Sequence, residues 1–359
     1  MQFSSRKEKQ PLSKNKKKIC VFTKFSDNGP SSKYRIMIFE EDLKRDFDVV
    51  EYRFWNEKYY SKYASNKRKH VLAIGCQYII NVIKRMYQIQ FIAPKCDVVF
   101  FQKCVIPYMK KYTFEKLHNS GCKVVFDVDD AVFIEDKDGT VNIAKHSDVV
   151  IVGNEMLGDF YKKHNCNVVV IPTVDYTPDY IAYNKDTFHN KILLWLGSAA
   201  TVDNLDLIIE PINKLIDKHP EVKFKYICDA DHGYTALIKN SEFVKWKKDT
   251  VIRDMSDATI GIMPLKDNEY NKGKCGFKLI QYMNLGKPVV ASDVGVNKKV
   301  VNRGGCIAEN PDDFMTLVEK LLYDEKLYRE CEAYTKKEFL EEYGYSMALR
   351  KLTTVFREI

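Results

Sequence analysis

Short apolar runs alternate with helical periods along most of this chain. Each run is rich in valine, isoleucine, leucine or phenylalanine, which favours a buried β-strand over a surface helix. The predicted strands in the first half are residues 18–25, 97–101, 123–127, 148–152 and 168–171; those in the second half are 191–196, 222–228, 258–263 and 288–291.

Helices are predicted between these strands. The clearest helical period has apolar residues on one face and polar residues on the other, namely Ile79, Val82, Ile83 and Met86 against Asn81, Lys84, Arg85 and Gln88. A second helix is predicted over about 202–218, although Pro211 lies inside it. Asn310 and Pro311 suit the N-cap and first position of a third helix, and the last forty or so residues look helical.

The alternation of strand and helix predicts an α/β chain whose parallel sheets are covered on both sides. A polar stretch from 172 to 190 without clear periodicity separates two such series. The predicted divisions are a flexible tail (1–17), an N-terminal domain (18–176), a linker (177–190), a C-terminal domain (191–340) and a final helix (341–359), which could pack back on the first domain. Ligands of such sheets bind beyond the carboxyl ends of the strands, so a cleft between the two domains is expected.

Composition narrows the class of protein. The 359 residues suit two domains, and no apolar run approaches the length of a membrane span. The charged N-terminus lacks the apolar core of a signal peptide. The ten cysteines are scattered without a Cys-x-x-Cys pair, which predicts reduced thiols in a cytoplasmic protein, without a zinc module or disulfide framework.

The net charge of +8 is concentrated near the start, where Glu8 is the only acid among Arg6, Lys7, Lys9, Lys14, Lys16, Lys17 and Lys18. This segment is either a solvated tail or an attachment to anionic lipid at the inner face of the membrane. Residues 53–69 mix Tyr, Trp and Phe with Lys and Arg, which suits either an ordinary loop or a membrane interface. A nucleic-acid partner is not expected, because no nucleic-acid-binding module accompanies the charge.

The most informative stretch is residues 272–292, where a glycine-rich loop with three lysines opens a short helix. The first N–H groups of a helix lack internal partners and attract anions. Lys274 and Lys278 add positive charge there, and Gly273 and Gly276 let the backbone approach a ligand closely. This combination predicts a phosphate or diphosphate site, although a solvated lysine pair beside a structural turn would look similar.

The same stretch, from Met263 through Met283 to Asn297, resembles the donor-binding region of retaining GT-B glycosyltransferases of family 4, the group 1 transferases. Other segments fit that family in order, so the resemblance runs from about Lys18 to near the C-terminus. These segments are 29–35 (GPSSKYR), 126–131 (FDVDDA), 148–154 (DVVIVGN), 171–175 (IPTVD) and 195–198 (WLGS).

The resemblance implies a GT-B enzyme with two Rossmann-like domains whose sheets face an interdomain cleft. The C-terminal domain would bind a UDP- or GDP-sugar and the N-terminal domain a glycan or lipid-linked acceptor, with no metal or cofactor. The implied donor residues are Gly197, Ser198, Thr201, Lys274, Gly276, Phe277, Lys278 and Gln281, and the implied acceptor residues are Ser32 and Arg35. Gln281 departs from the family, which usually places a ribose-binding glutamate there.

Asp127, Asp129 and Asp130 allow several interpretations. Asp129 and Asp130 are candidate catalytic residues that orient or deprotonate the acceptor hydroxyl. A metal-binding Asp-x-Asp pair, a phosphatase nucleophile motif and simple loop solvation are the alternatives. The expected function is that of a retaining hexosyltransferase (EC 2.4) in surface polysaccharide or glycoconjugate synthesis. The alternatives are a non-catalytic sugar-nucleotide-binding protein of the same fold and an aspartate-based phosphatase.

Overall fold

The computed structural model describes residues 16–27, 29–57, 62–63 and 68–359. Strands within these residues form two six-stranded sheets in which every neighbouring pair is parallel. The strands are β1 (Lys18–Thr23), β2 (Asp48–Arg53), β3 (Val98–Gln102), β4 (Lys123–Val128), β5 (Val149–Val152), β6 (Val168–Val170), β7 (Ile192–Leu196), β8 (Lys223–Cys228), β9 (Ser241–Lys245), β10 (Ile260–Met263), β11 (Val289–Ser292) and β12 (Gly305–Ala308).

The first sheet has the order β2-β1-β3-β4-β5-β6, and the second has the order β12-β11-β10-β7-β8-β9. The predicted α/β class and the parallel sheets are therefore confirmed. The strands without a sequence prediction, β2, β9 and β12, all lie at sheet edges. Edge strands are paired on one side only and carry more polar side chains, so their apolar runs are weaker.

Helices cover both sheets. They are α1 (Pro30–Arg35), α2 (Glu40–Asp46), α3 (Val71–Tyr87), α4 (Glu115–Asn119), α5 (Thr140–His146), α6 (Glu155–Tyr161), α7 (Pro178–Ile181), α8 (Ile209–Lys218), α9 (Tyr234–Leu237), α10 (Val251–Met255), α11 (Glu269–Lys272), α12 (Phe277–Asn284), α13 (Asn297–Val301), α14 (Pro311–Tyr323), α15 (Glu325–Lys336), α16 (Glu338–Tyr343) and α17 (Tyr345–Glu358).

Two of the predicted helices are present, one as a single element and one in two parts. Asn310 caps α14 as predicted, since its side chain accepts hydrogen bonds from the N–H groups of Asp312 and Asp313. The helix predicted over 202–218 is divided into a 3-10 helix, Val202–Leu207, and α8. Pro211 thus lies in the first turn of α8, where its missing N–H leaves no helical hydrogen bond unmade.

The final helix returns to the first sheet. The Phe356 ring of α17 packs edge-on against Phe47 and Phe100, and Tyr345 stacks on Phe39. The chain therefore crosses between the two sheets twice, once through residues 171–191 and once ahead of α17.

The two halves are in close contact around one cleft. The Tyr34 ring of α1 lies 4.5 Å from the Phe277 ring of α12, measured between centroids. A Cβ atom on Gly273 would lie only 2.2 Å from the Cβ of Ala131, so a side chain at position 273 would force the walls of the cleft apart. Glycine at this position is therefore explained by the approach of the two halves.

Two further findings bear on the sequence predictions. Cys20 and Cys96, which are 76 residues apart, form a disulfide between β1 and the segment before β3. The prediction of reduced thiols is therefore wrong for this pair, since tertiary contact rather than local spacing brings the two sulfurs together. None of the helices in the described residues combines the length and the hydropathy that a membrane crossing requires.

Candidate functional site

A cavity of about 770 Å³ lies between the two halves of the molecule. One wall follows the carboxyl ends of β1, β3 and β4, and the other is formed around the start of α12. This is the edge where ligands of parallel sheets bind. Six of the predicted site residues line it, namely Asp130, Thr201, Lys274, Gly276, Phe277 and Lys278.

Gly276 sets the start of α12. Its φ of 67° lies in the left-handed region, which strains other residue types, and it occupies the N-cap position of the helix. Lys274 precedes Gly276 in the chain and Lys278 follows it, and both residues line the same cavity. The site therefore combines a helix N-terminus with two lysines, as the sequence predicted for an anion pocket.

Lys278 is held against the facing loop. Its Nζ donates a 3.1 Å hydrogen bond to Oγ1 of Thr201 and lies 4.4 Å from the centre of the Trp195 ring. Burial, and then the charge of Lys274, lower the pKa of Lys278 to about 7. Burial also lowers the pKa of Lys274. Burial is the main cause of both shifts, because removal from water disfavours the charged form of a lysine, and a bound anion would oppose it.

Asp129 and Asp130 share a lysine that the sequence did not single out. Nζ of Lys103 lies 3.2 Å from Asp129 and 2.7 Å from Asp130, and it also donates a hydrogen bond to Oγ of Ser31. Burial and the neighbouring Asp129 raise the pKa of Asp130. Burial opposes ionisation of Asp129, but Lys103 and Arg35 outweigh it and hold the pKa of Asp129 below its ordinary value.

The position of Lys103 explains this arrangement. It follows β3 directly and has a φ of 68°, which turns its side chain back over the end of the sheet. Lys24, directly after β1, is placed similarly and forms a 2.5 Å ion pair with Asp138. Both lysines line the cavity. A search for charged residues directly after predicted strands would have found them.

Ser32 and Arg35 are buried beside the site rather than exposed in it. Arg35 donates hydrogen bonds to both carboxylate oxygens of Asp127 and to the carbonyl oxygen of Ile171. Ser32 donates to Oε1 of Gln102. These contacts join α1 to the carboxyl ends of β3 and β4, next to the cavity wall.

The remaining predicted donor residues are placed differently. Ser198 forms a turn with Thr201, to which its N–H donates a hydrogen bond, and Gly197 packs beneath the Trp195 ring. Gln281 is buried and donates hydrogen bonds to Asp175 and Tyr180, away from the cavity. Its amide is therefore engaged with the crossing segment rather than with the space beside Lys278.

One group of possible metal ligands occurs among the described residues. Cys228, Asp229 and His232, after β8, place one ligand atom each within 4.8 Å of one another. The Cys228 thiol is protonated at neutral pH, because burial and the Asp229 carboxylate raise its pKa to about 11. Thiolate is the form that binds metal, so a metal at this group would have to displace the thiol proton. The expected absence of a metal stays a prediction.

A family of known proteins matches the half of the chain that contains the second sheet. Residues 190–324 match the family model of glycosyl transferases group 1, which covers the second sheet and α12. No curated protein sequence matches the chain significantly.

Solved structures resemble the chain over nearly its whole length. The HepE protein of Anabaena, in complex with UDP-glucose, has a TM-score of 0.67 at 11% identity, covering 95% of this chain and 100% of its own. A trehalose 6-phosphate synthase of Burkholderia multivorans has a TM-score of 0.65 at 10% identity, covering 96% and 97%. A sucrose-phosphate synthase of Thermosynechococcus elongatus has a TM-score of 0.65 at 11% identity, covering 95% and 98%. At these identities the likeness shows the fold, which is GT-B.

Proposed function

We propose that this protein is a retaining glycosyltransferase of family 4 that transfers a sugar from a UDP- or GDP-sugar to a glycan or lipid-linked acceptor. The observation that carries the proposal is the pair Lys274 and Lys278 at the glycine-capped start of α12, inside an interdomain cavity. Group transfer from a nucleotide-sugar leaves a nucleoside diphosphate. The helix N-terminus and the two lysines would stabilise the negative charge that develops on this leaving group.

The donor would lie against the C-terminal half. Lys278 and Lys274 would contact the diphosphate, with Thr201 holding the Lys278 ammonium in place. The family model matches this half of the chain, and HepE of Anabaena has been solved with UDP-glucose. Gln281 would support α12 through Asp175 rather than contact the ribose.

The acceptor would lie against the N-terminal half, where Asp130 lines the cavity. Burial and Asp129 raise the pKa of Asp130, which makes its carboxylate a better proton acceptor than an aspartate with an ordinary pKa. Lys103 would orient both carboxylates. Retention would proceed without a covalent protein intermediate. The acceptor hydroxyl oxygen would bond to the anomeric carbon on the face from which the diphosphate oxygen departs, and Asp130 would take up the hydroxyl proton.

The contacts of Asp127 favour transfer over phosphatase chemistry. A phosphatase nucleophile needs a free carboxylate oxygen facing the substrate, whereas both oxygens of Asp127 accept hydrogen bonds from Arg35. Asp127 is also almost completely buried. A non-catalytic sugar-nucleotide-binding protein would bind the same ligand without turning it over, so an activity measurement distinguishes it from a transferase.

Ligand binding to the native state raises its melting temperature, which gives a direct test. We expect UDP or GDP, and the matching nucleotide-sugar, to raise the melting temperature of the wild-type protein. Lys278→Met should remove most of that shift. Lys272→Met is a matched control, because Lys272 lies in the same segment and is paired with Asp267 and Glu269, but its side chain does not line the cavity. A protein that no nucleotide stabilises, or a Lys278→Met variant with unchanged affinity, would contradict the proposal.

Turnover is tested separately by release of nucleoside diphosphate from the stabilising nucleotide-sugar, with and without EDTA. We expect release that EDTA does not abolish, and product analysis should show retention at the anomeric carbon. The wider setting proposed is polysaccharide or glycoconjugate synthesis at the cytoplasmic face of a membrane. The basic segment of residues 1–17, which lies mostly outside the described residues, would contribute attraction to anionic lipid.

A further inference from the structure

Helix α3 presents an unusual surface. Eight of the eighteen large apolar side chains that are exposed in the described part of the chain lie between residues 71 and 91. The exposed fractions reach 86% at Leu72, 60% at Ile79 and 63% at Ile83. Scattered exposed apolar residues are normal, whereas a continuous set on one helix marks an interaction surface.

Six of these residues, together with the exposed Cys76, form one stripe along the helix. At 100° per residue, they fall within a single outward arc of about 120° that contains no charged side chain. We call this stripe the α3 apolar face; its members are Leu72, Cys76, Ile79, Ile80, Ile83, Met86 and Tyr87. Phe91 extends it into the π-helix Gln88–Ile92, and its ring lies 5.1 Å from that of Tyr87.

The opposite side of α3 is anchored to the protein by unusually specific contacts. The buried Arg85 guanidinium donates hydrogen bonds to the carbonyl oxygens of Thr23, Tyr52 and Val105. Nearby, the Tyr78 hydroxyl donates to the carbonyl oxygen of Pro107. Rotating the helix to bury its apolar face would break these bonds and leave polar groups unpaired in the interior. The outward orientation is thus fixed by the fold.

The charge around the stripe identifies its partner. Besides the buried Arg85, residues 58–96 contain seven Lys or Arg residues and no Asp or Glu. Among the described ones, Arg68 and Lys69 are exposed just before α3, and Lys84 and Lys95 are exposed at its far end. Lys116 lies 5.3 Å from the centre of the Phe91 ring. An apolar helical stripe with aromatic residues and a basic rim matches the boundary between acyl chains and anionic headgroups.

We propose that the α3 apolar face docks this protein on an anionic phospholipid bilayer, with α3 lying in the interface. The helix is suited to lie on a membrane rather than to cross it, since Arg85 and Tyr78 hold its inner side to the protein.

Docking would also orient the cavity. The Tyr78 ring lies 6.3 Å from that of Tyr108, which lines the cavity, so α3 borders the acceptor side of the cleft. This arrangement would bring a lipid-linked acceptor from the bilayer to Asp130, a consequence that rests on the proposed function. The docking itself does not depend on the chemistry in the cleft.

Vesicle co-flotation of the full chain tests the proposal. We expect binding to vesicles of phosphatidylglycerol and phosphatidylcholine, and much weaker binding to phosphatidylcholine alone. Ile79→Gln/Ile83→Gln should lower the partition coefficient at least about tenfold, equivalent to about 1.4 kcal/mol. The matched control is Ile181→Gln/Leu237→Gln, which changes two exposed apolar residues elsewhere and should stay within about twofold of wild type. An unchanged melting temperature shows that both variants are folded, and Leu72→Gln/Met86→Gln serves as a second test variant.

Wild-type binding by both α3 variants would overturn the proposal and assign any attachment to the basic N-terminal segment. Absence of vesicle binding, with α3 variants that instead change the elution volume in gel filtration, would overturn it in favour of a protein partner. The nucleotide-induced melting shift is measured on the same samples. If vesicle binding is intact but nucleotides cause no melting shift, the proposed transferase function is wrong and the docking proposal stands. If nucleotides cause the shift but vesicles are not bound, the docking proposal alone is wrong.

Discussion

The lowered pKa of Lys278 makes donor binding depend on pH. In the free protein, burial and Lys274 lower this pKa to about 7, so half of the molecules carry a neutral Lys278 at neutral pH. A diphosphate favours the charged ammonium. Binding must therefore take up a proton wherever the free protein has lost it, and affinity should fall as the pH rises through 7.

The size of the effect follows from the titration of one group. Below pH 7 Lys278 is already protonated, so affinity should change little there. If the bound form keeps its proton throughout, raising the pH from about 6.5 to about 8 lowers the charged fraction of the free protein roughly eightfold. Apparent affinity for the nucleotide-sugar should then weaken about eightfold, which corresponds to about 1.3 kcal/mol. Lys274, whose pKa is also lowered by burial, acts in the same direction.

Isothermal titration calorimetry with the stabilising nucleotide-sugar measures both parts of this prediction. A nucleotide-sugar is preferable to the free diphosphate because its diphosphate diester does not titrate near neutrality. Comparing two buffers of different ionisation enthalpy at pH 7 should reveal uptake of about half a proton per site. Lys278→Met should bind more weakly, with a flatter pH dependence, and Lys272→Met should keep the wild-type slope.

Two results would refute the reasoning. A wild-type affinity that is constant between pH 6.5 and 8 would mean that Lys278 is not poised near neutrality or does not contact the anion. An unchanged slope in Lys278→Met would assign the pH dependence to another group.

Three further predictions concern single residues. Arg35→Met should destabilise the protein by about 3 to 5 kcal/mol in urea unfolding, because it leaves the buried Asp127 carboxylate without its partner; a loss under 1 kcal/mol would contradict the buried ion pair. Asp130→Asn should leave the nucleotide-induced melting shift intact but reduce transfer to acceptor at least about a hundredfold, and unreduced transfer would exclude a role as base. Gly276→Ala should cost about 1 to 2 kcal/mol of stability and weaken nucleotide binding, since its φ of 67° strains an alanine; calorimetric unfolding and binding measure both effects.

Much of the fold could be predicted from the sequence. Interior strands such as β3 and β4 are buried on both faces, so their composition alone marks them. The edge strands β2 and β9 escaped prediction because partial exposure mixes polar residues into them. The start of α12 was predictable for a different reason, since glycine, lysine and a helix start are local features that neighbouring elements do not alter.

Other features depended on contacts that no local pattern records. The pairing of Lys103 with Asp129 and Asp130 joins the ends of β3 and β4, and Gln281 is committed to Asp175 from the crossing segment. In each case the sequence gives the residue type, whereas its partner comes from a distant part of the chain.

Helix α3 shows most clearly what a local sequence pattern cannot predict. Its period by itself determined that Ile79, Ile83 and Met86 lie on one face, with Arg85 on another, because helical geometry is local. Only the tertiary structure decided that the apolar face points outward, because three carbonyl oxygens at the end of the first sheet hold Arg85 inside. A helical period fixes which residues share a face, and the hydrogen bonds and packing of neighbouring elements decide which face is buried.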